Sequence, residues 1–191
     1  MSETEPQLLA WMEELQQYHL PRWEELPDIE LYMDQVITLI ERYLSPLVGQ
    51  MGGKVITPAM INNYVKLSIM PKPVKKRYER IHLAHLIVIT ILKQVLLITE
   101  VKEGIFLQSK LCTIPEAYNL FCNMQETALR EMAERYRCAF SGKPLPPAEP
   151  VGLDSMGLYM ACNAFAGKTF AEQIIFSRQQ ERDLVIRDVQ L

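Results

Sequence analysis

Apolar residues recur at three- and four-residue spacing along most of this chain, and prolines mark where each run must begin or stop. Together these two features predict a mainly helical fold. Leu8, Trp11, Leu15 and Tyr18 share one face of a short helix that closes before Pro21. Ile29, Met33, Val36, Ile40 and Leu44 form a second stripe, with Asp28 as its expected N-cap and an end near Ser45-Pro46. Gly49, Gly52 and Gly53 mark a mobile connection. Thr57-Pro58 predicts a third helix lasting to about Leu67, since a capping hydroxyl precedes a proline at the first helical position. Pro71 and Pro73 forbid its continuation, so residues 74–78 are expected as a short strand or hairpin arm.

Further helices follow. One opens near Glu79 and carries the most apolar run of the chain, residues 83–98, and the next starts at Thr99 and runs to about Gln108. From Pro115, the residues Tyr118, Phe121, Met124, Ala128, Met132 and Tyr136 trace one face of a helix ending at Ser141-Gly142. The stretch "KPLPPAEP" reads as an extended linker. Beyond it, Leu158, Cys162, Phe165, Phe170 and Ile174 predict one helix, or two broken near Gly167. The β-branched tail "LVIRDVQL" suits an edge strand or a segment that clasps a partner.

Charge is distributed unevenly. The chain carries 20 Lys and Arg against 23 Asp and Glu, a net charge of −3 that by itself argues mildly against a nucleic-acid partner. Residues 54–80 nevertheless hold seven basic residues against one acid, Glu79, which leaves 13 basic and 22 acidic residues elsewhere. A segment of that kind can hold a polyanion locally while the acidic remainder limits unspecific adhesion. A solvated basic loop beside an ordinary surface helix would carry the same charge, so the order of parts has to decide.

Other chemistries find little support. Cys112, Cys122, Cys138 and Cys162 show no C-x-x-C pairing and read as reduced, mostly buried thiols of a cytoplasmic protein without a signal peptide. The apolar run at residues 83–98 contains His85, Thr90, Lys93 and Gln94 and is too short to span a bilayer. His82 and His85 have metal-compatible spacing but no third ligand nearby, so local hydrogen bonds or a place at a packing edge are expected, and no metal. No nucleophile elbow and no glycine-rich phosphate loop is present, and Glu13-Glu14 and Glu24-Glu25 point apart on a helix. Neither catalysis nor a cofactor is expected.

In "TPAMINNYVK", Ile61, Val65 and Leu67 are expected to face inward, and Asn62, Asn63 and Lys66 outward. Asparagine can pair with adenine, and a helix N-terminus with the Thr57 hydroxyl suits a phosphate. Lys72, Lys75, Lys76 and Arg77 would track the neighbouring backbone. The order "TPAMINNYVKLSIM", "PKPVKKRY", "HLAHLIVI", "ITEVKEGI" resembles the MerR-type winged helix-turn-helix family, over about residues 57–107. Tyr64 matches a tyrosine of that family's recognition helix, Arg77-Tyr78 the end of its wing, and Leu83, Leu86 and Ile89 apolar positions of its next helix. Asn62 stands where the family has a phosphate-gripping arginine, and Ser68 replaces the glycine after the helix. Taken whole, the chain from "LPRWEELPDIELYMDQVITLIERYL" to "VITILKQVL" looks still more like a bacterial family catalogued as domain of unknown function 1836.

The resemblance implies an all-α chain with a MerR-like winged helix-turn-helix and a small β wing. Residues 1–27 would form an N-terminal helical arm, 28–110 the winged module, and 111–191 a helical dimerisation or effector region with a proline-rich linker at 143–151. It implies a homodimeric, sequence-specific transcriptional regulator of double-stranded DNA, with room for a small-molecule effector. Thr57, Asn62, Asn63, Tyr64, Lys66, Lys72, Lys75, Lys76, Arg77 and Tyr78 would contact the duplex. The alternatives are an interaction module that docks an acidic protein through its basic patch, and a small-molecule sensor.

Overall fold

The computed structural model describes residues 4–48, 54–147 and 150–189. Seven α-helices lie among them: α1 (Thr4–Gln16), α2 (Met33–Leu44), α3 (Pro58–Lys66), α4 (Arg80–Leu92), α5 (Ile98–Gln108), α6 (Ile114–Ser141) and α7 (Leu153–Val189). The expected helical fold is what forms. The glycine-bearing connection after Pro46 falls largely outside the described residues. No helix among the described residues is long and apolar enough to cross a membrane.

Several helices start in one way: the side chain three positions into the helix reaches back to the backbone N–H of the N-cap residue. Gln35 Oε1 accepts from Tyr32, Glu100 Oε2 from Leu97 and Glu116 Oε2 from Thr113, each at 2.8 Å. His82 Nδ1 does the same for Glu79 at 2.9 Å, in a role usually given to Glu or Gln. Helix α6 ends at Gly142, whose φ of 68° is the left-handed conformation that a glycine adopts without steric cost.

Helix α4 lies at the centre, packed against α2, α5, α6 and α7. Leu83, Leu86, Ile87 and Ile89 are fully buried, as are Phe121 of α6 and Phe165 of α7. Each such side chain contributes about 1.5–3 kcal/mol. Helices α6 and α7 pack together and α1 crosses both, with the Trp11 and Phe170 rings edge to face at 4.9 Å. Helix α7 runs unbroken through Gly167, where a Cβ would make an ordinary contact with Met132 Cε at 3.6 Å, so this glycine does not break the helix. The backbone of the tail is helical through Val189, which corrects the expectation of an edge strand.

The segment between α1 and α2 is stapled to α6. Glu126, with its side chain 7% exposed, accepts from Arg22 Nη1 and Nη2 at 2.6 and 2.7 Å and from the Leu20 N–H at 2.9 Å. Tyr118 donates its hydroxyl to the Pro21 carbonyl at 2.8 Å. Burial works to raise the Glu126 pKa, but the Arg22 and Leu20 hydrogen bonds and the nearby positive charges outweigh it and hold the carboxyl below its ordinary value.

Two expectations fail around residues 28–32 and 74–78. Helix α2 starts at Met33, not at Asp28-Ile29: Asp28 is exposed and 3.5 Å from Arg80 Nη2, and Ile29 is 66% exposed. The cause is Leu31, whose N–H and C=O both bond Tyr78, at 2.8 and 2.9 Å, which keeps this stretch extended. The expected small β wing is not built of strands. Among the described residues there are only two isolated antiparallel bridges, Leu31 with Tyr78 and Val74 with Arg77. The ladder does not grow from the second, because the next hydrogen-bonding pair would match Lys72 with Glu79, whose N–H bonds His82 Nδ1 and whose C=O already accepts the first bonds of α4.

Candidate nucleic-acid interface

Thr57 starts α3 as expected: its Oγ1 accepts from the Met60 N–H at 3.2 Å, and Pro58 occupies the first turn. Ile61 and Tyr64 are buried, and Pro58, Ala59, Asn62, Asn63 and Lys66 form the exposed face. Asn62, Asn63 and Lys66 therefore share the one solvent-facing side of the helix. Val65 is half-buried and Leu67 is 39% exposed, so these two face inward less than their spacing suggested.

The helix ends in a Schellman motif. Ile69 N–H bonds Tyr64 O at 3.1 Å and Ser68 N–H bonds Val65 O at 3.0 Å, with Ser68 at φ 54° in the position that usually takes glycine. Lys102 of α5 adds a further bond, its Nζ donating to the Leu67 carbonyl at 2.8 Å. Nothing in the local sequence announces Lys102, which lies 35 residues from the carbonyl it caps.

Residues 74–77 close a two-residue turn, with Arg77 N–H donating to Val74 O at 2.8 Å. Lys75 and Lys76 occupy its central positions at φ 48° and 61°. Two successive positive φ values mark a type I′ turn, whose preferred residues are Asn and Gly. The turn thus presents two lysines where the backbone would rather have neither. Both are exposed, as are Lys66 and Lys72, and none of these four ammonium groups has an acidic partner within ion-pair distance among the described residues. Arg77 behaves differently. Its guanidinium carbon sits over the Tyr32 ring, 3.8 Å from the centroid, which holds the base of the turn against the start of α2.

Two residues expected at the duplex are not at the surface. Tyr64 is 4% exposed, and burial pushes its phenol up to about 12. Tyr78 is 3% exposed, with its ring edge-on to His82 at 5.6 Å and its pKa likewise raised by burial. Each supports the surface from beneath: Tyr64 anchors the inner face of α3, and Tyr78 ties the turn to Leu31. The two histidines bond locally, His82 Nδ1 accepting from the Glu79 N–H and His85 Nδ1 lying 2.7 Å from the Ile81 carbonyl. Burial lowers the pKa of both.

A family model described as Domain of unknown function (DUF1836) matches residues 21–121, just over half of the chain. The chain belongs to this family. No curated protein and no solved structure matches it. The DUF1836 segment takes in α2 to α5, the whole exposed face of α3 and the cationic turn, and reaches into α6 as far as Phe121. It also contains Tyr32 and Lys102, the two supports that sequence spacing did not reveal, whereas Glu126, the acceptor for Arg22, lies beyond it.

Proposed function

We propose that this DUF1836 protein is a sequence-specific DNA-binding transcriptional regulator of the MerR-like winged helix-turn-helix type. It acts in the cytoplasm as a homodimer, with α3 in the major groove and the turn at residues 74–77 in place of a wing. The observation that carries the reading is the pairing of one polar, cation-edged helix face with a strained turn that holds two lysines away from any acid. L-residues at positive φ cost stability, and such strain is kept where a site needs a side chain held out from the surface. Asn62 and Asn63 offer the bidentate amide that reads adenine, and Lys66, Lys72, Lys75 and Lys76 offer phosphate contacts. Dimerisation follows from the small footprint, since two copies on a two-fold site double the grip.

Fluorescence anisotropy tests this with a duplex selected from a random pool. Exchanging Lys75 and Lys76 for Gln removes two phosphate contacts and should lower the slope of log affinity against log salt by about 2. Circular dichroism should stay unchanged. Asn62→Ala should flatten the preference among sequences by about 1–3 kcal/mol at one base pair while leaving the salt slope intact. An unaltered salt slope in the lysine variant would sink the assignment of the turn.

A further inference from the structure

A cavity of about 490 Å³ lies between α4, α5, α6 and α7. Its buried wall is formed by Ala84, Leu92, Phe121 and Ala161, and Ser68 and Ile69, the two residues that end α3, also line it. Two of its lining residues are glycines inside helices, Gly104 in α5 and Gly157 in α7. A Cβ at either would meet no heavy atom within 4 Å. A mid-helix glycine costs about 1 kcal/mol relative to alanine, and here neither is required by tight packing. Both are exposed, and nothing within 4 Å would oppose a side chain added at either place beside the cavity.

The polar groups around this space are specific. His85 Nδ1 is 2.7 Å from the Ile81 carbonyl, which can only accept, so Nδ1 carries the proton and Nε2 is left as an acceptor. Nε2 has no protein partner among the described residues, and burial disfavours the charged ring. At the exposed rim stand the carboxylates of Glu100 and Asp154, and the one rim ammonium, Lys102, is already bonded to Leu67 O. An inner acceptor behind an acidic rim repels a carboxylate ligand and welcomes a hydrogen-bond donor. The volume falls within the roughly 300–1,000 Å³ of small-molecule sites, and the shape is concave rather than the broad face of about 800 Å² that a stable dimer buries on each side.

We infer that this cavity binds a neutral, mostly apolar small molecule that donates one N–H or O–H to His85, and that its occupancy alters the hold of α3 on DNA. The second half rests on the DNA-binding reading; the first half does not. The route is short: a ligand touching Ser68 and Ile69 lies against the terminal turn of α3, whose last carbonyl is capped by Lys102 from the same wall.

N-phenyl-1-naphthylamine has the required chemistry, an apolar body with a single N–H, and its fluorescence rises on leaving water. Titrated into the full chain it should show saturable binding at one site. Gly157→Leu and Gly104→Leu place a bulky side chain at the exposed lining of the cavity while improving helix propensity, so each should obstruct binding without lowering the melting temperature. His85→Leu should weaken binding about fivefold, and the N-methylated probe should bind wild type equally weakly. Probe binding that survives both glycine variants, or a methylated probe that binds as well as the parent, overturns the site. So does a glycine variant that changes the sedimentation of the chain, which would make the cavity a seat for a second copy. For the coupling, saturating probe should shift duplex affinity about fivefold or more, and Lys102→Met should remove that shift while keeping probe binding. A bound probe with unchanged duplex affinity overturns the coupling, whereas probe binding by a chain that holds no duplex overturns the DNA reading and leaves the site standing.

Discussion

Lys75 and Lys76 are the residues at which local stability and the proposed function pull apart. Their positive φ values would suit Asn-Gly, so replacing the pair by those residues relaxes the backbone and removes two charges in one step. The double variant should gain about 1 kcal/mol of stability in chemical denaturation yet lose duplex affinity. A variant that lost both would show that the lysines support the fold. Tyr64 and Tyr78 teach the complementary lesson. A resemblance aligned them with positions of a DNA-contacting motif, but alignment gives sequence position and not direction. Helical spacing from the buried Ile61 puts Tyr64 on the inner face three residues on, so its burial was legible from period alone. That of Tyr78 was not, since it depends on a backbone pairing with Leu31 across 47 residues of chain.

Among the elements, α3 was the most legible from sequence because its signals are local: the Thr57 hydroxyl, the proline after it and the prolines beyond its end. Helix α2 was misjudged at its start for the opposite reason, since Asp28 after a proline makes a good local cap but the bridge from Leu31 to Tyr78 overrides it. The wing failed as a strand because Glu79, which would carry the next bonding pair, is already committed to the start of α4 through His82, a bond that spacing does not announce. Ser68 offers a direct check on the end of α3. With φ at 54° and a Schellman pair of bonds already in place, Ser68→Gly should stabilise the chain by about 0.5–1 kcal/mol. For a chain of this size that is a melting-temperature rise of about 1–4 °C. A fall would show that the Ser68 side chain makes a contact worth more than the strain.

At the scale of the molecule, one core joins α1 to α7, and the staple between Arg22 and Glu126 closes it on the side of α6. Because the Glu126 carboxyl titrates below its ordinary value when folded, the stability it supplies is present above about pH 4.3 and disappears as pH falls through the lower folded value. Glu126→Ala leaves the Arg22 guanidinium without its anion and should cost about 3 kcal/mol at neutral pH. That corresponds to a melting temperature lower by about 6–12 °C, and the variant should lose less than wild type on acidification to pH 3. A variant with wild-type melting behaviour would show the staple to be incidental. None of this arrangement could be read from the sequence, where Arg22 and Glu126 are simply two charges, one beside a proline in a connection and one within a long helical stripe.

The staple also sets a timetable. Arg22 and Glu126 are 104 residues apart, and α1 docks on helices that follow it by a similar distance or more. At about 5–20 residues per second, a ribosome needs about 5–20 s to make that intervening chain. Throughout that interval the apolar face of α1, with Leu8, Met12 and Leu15, lacks both of the helices it chiefly packs on, α6 and α7. Helix α1 is made before the helices that shelter it, so it is the natural handle for whatever escorts the nascent chain.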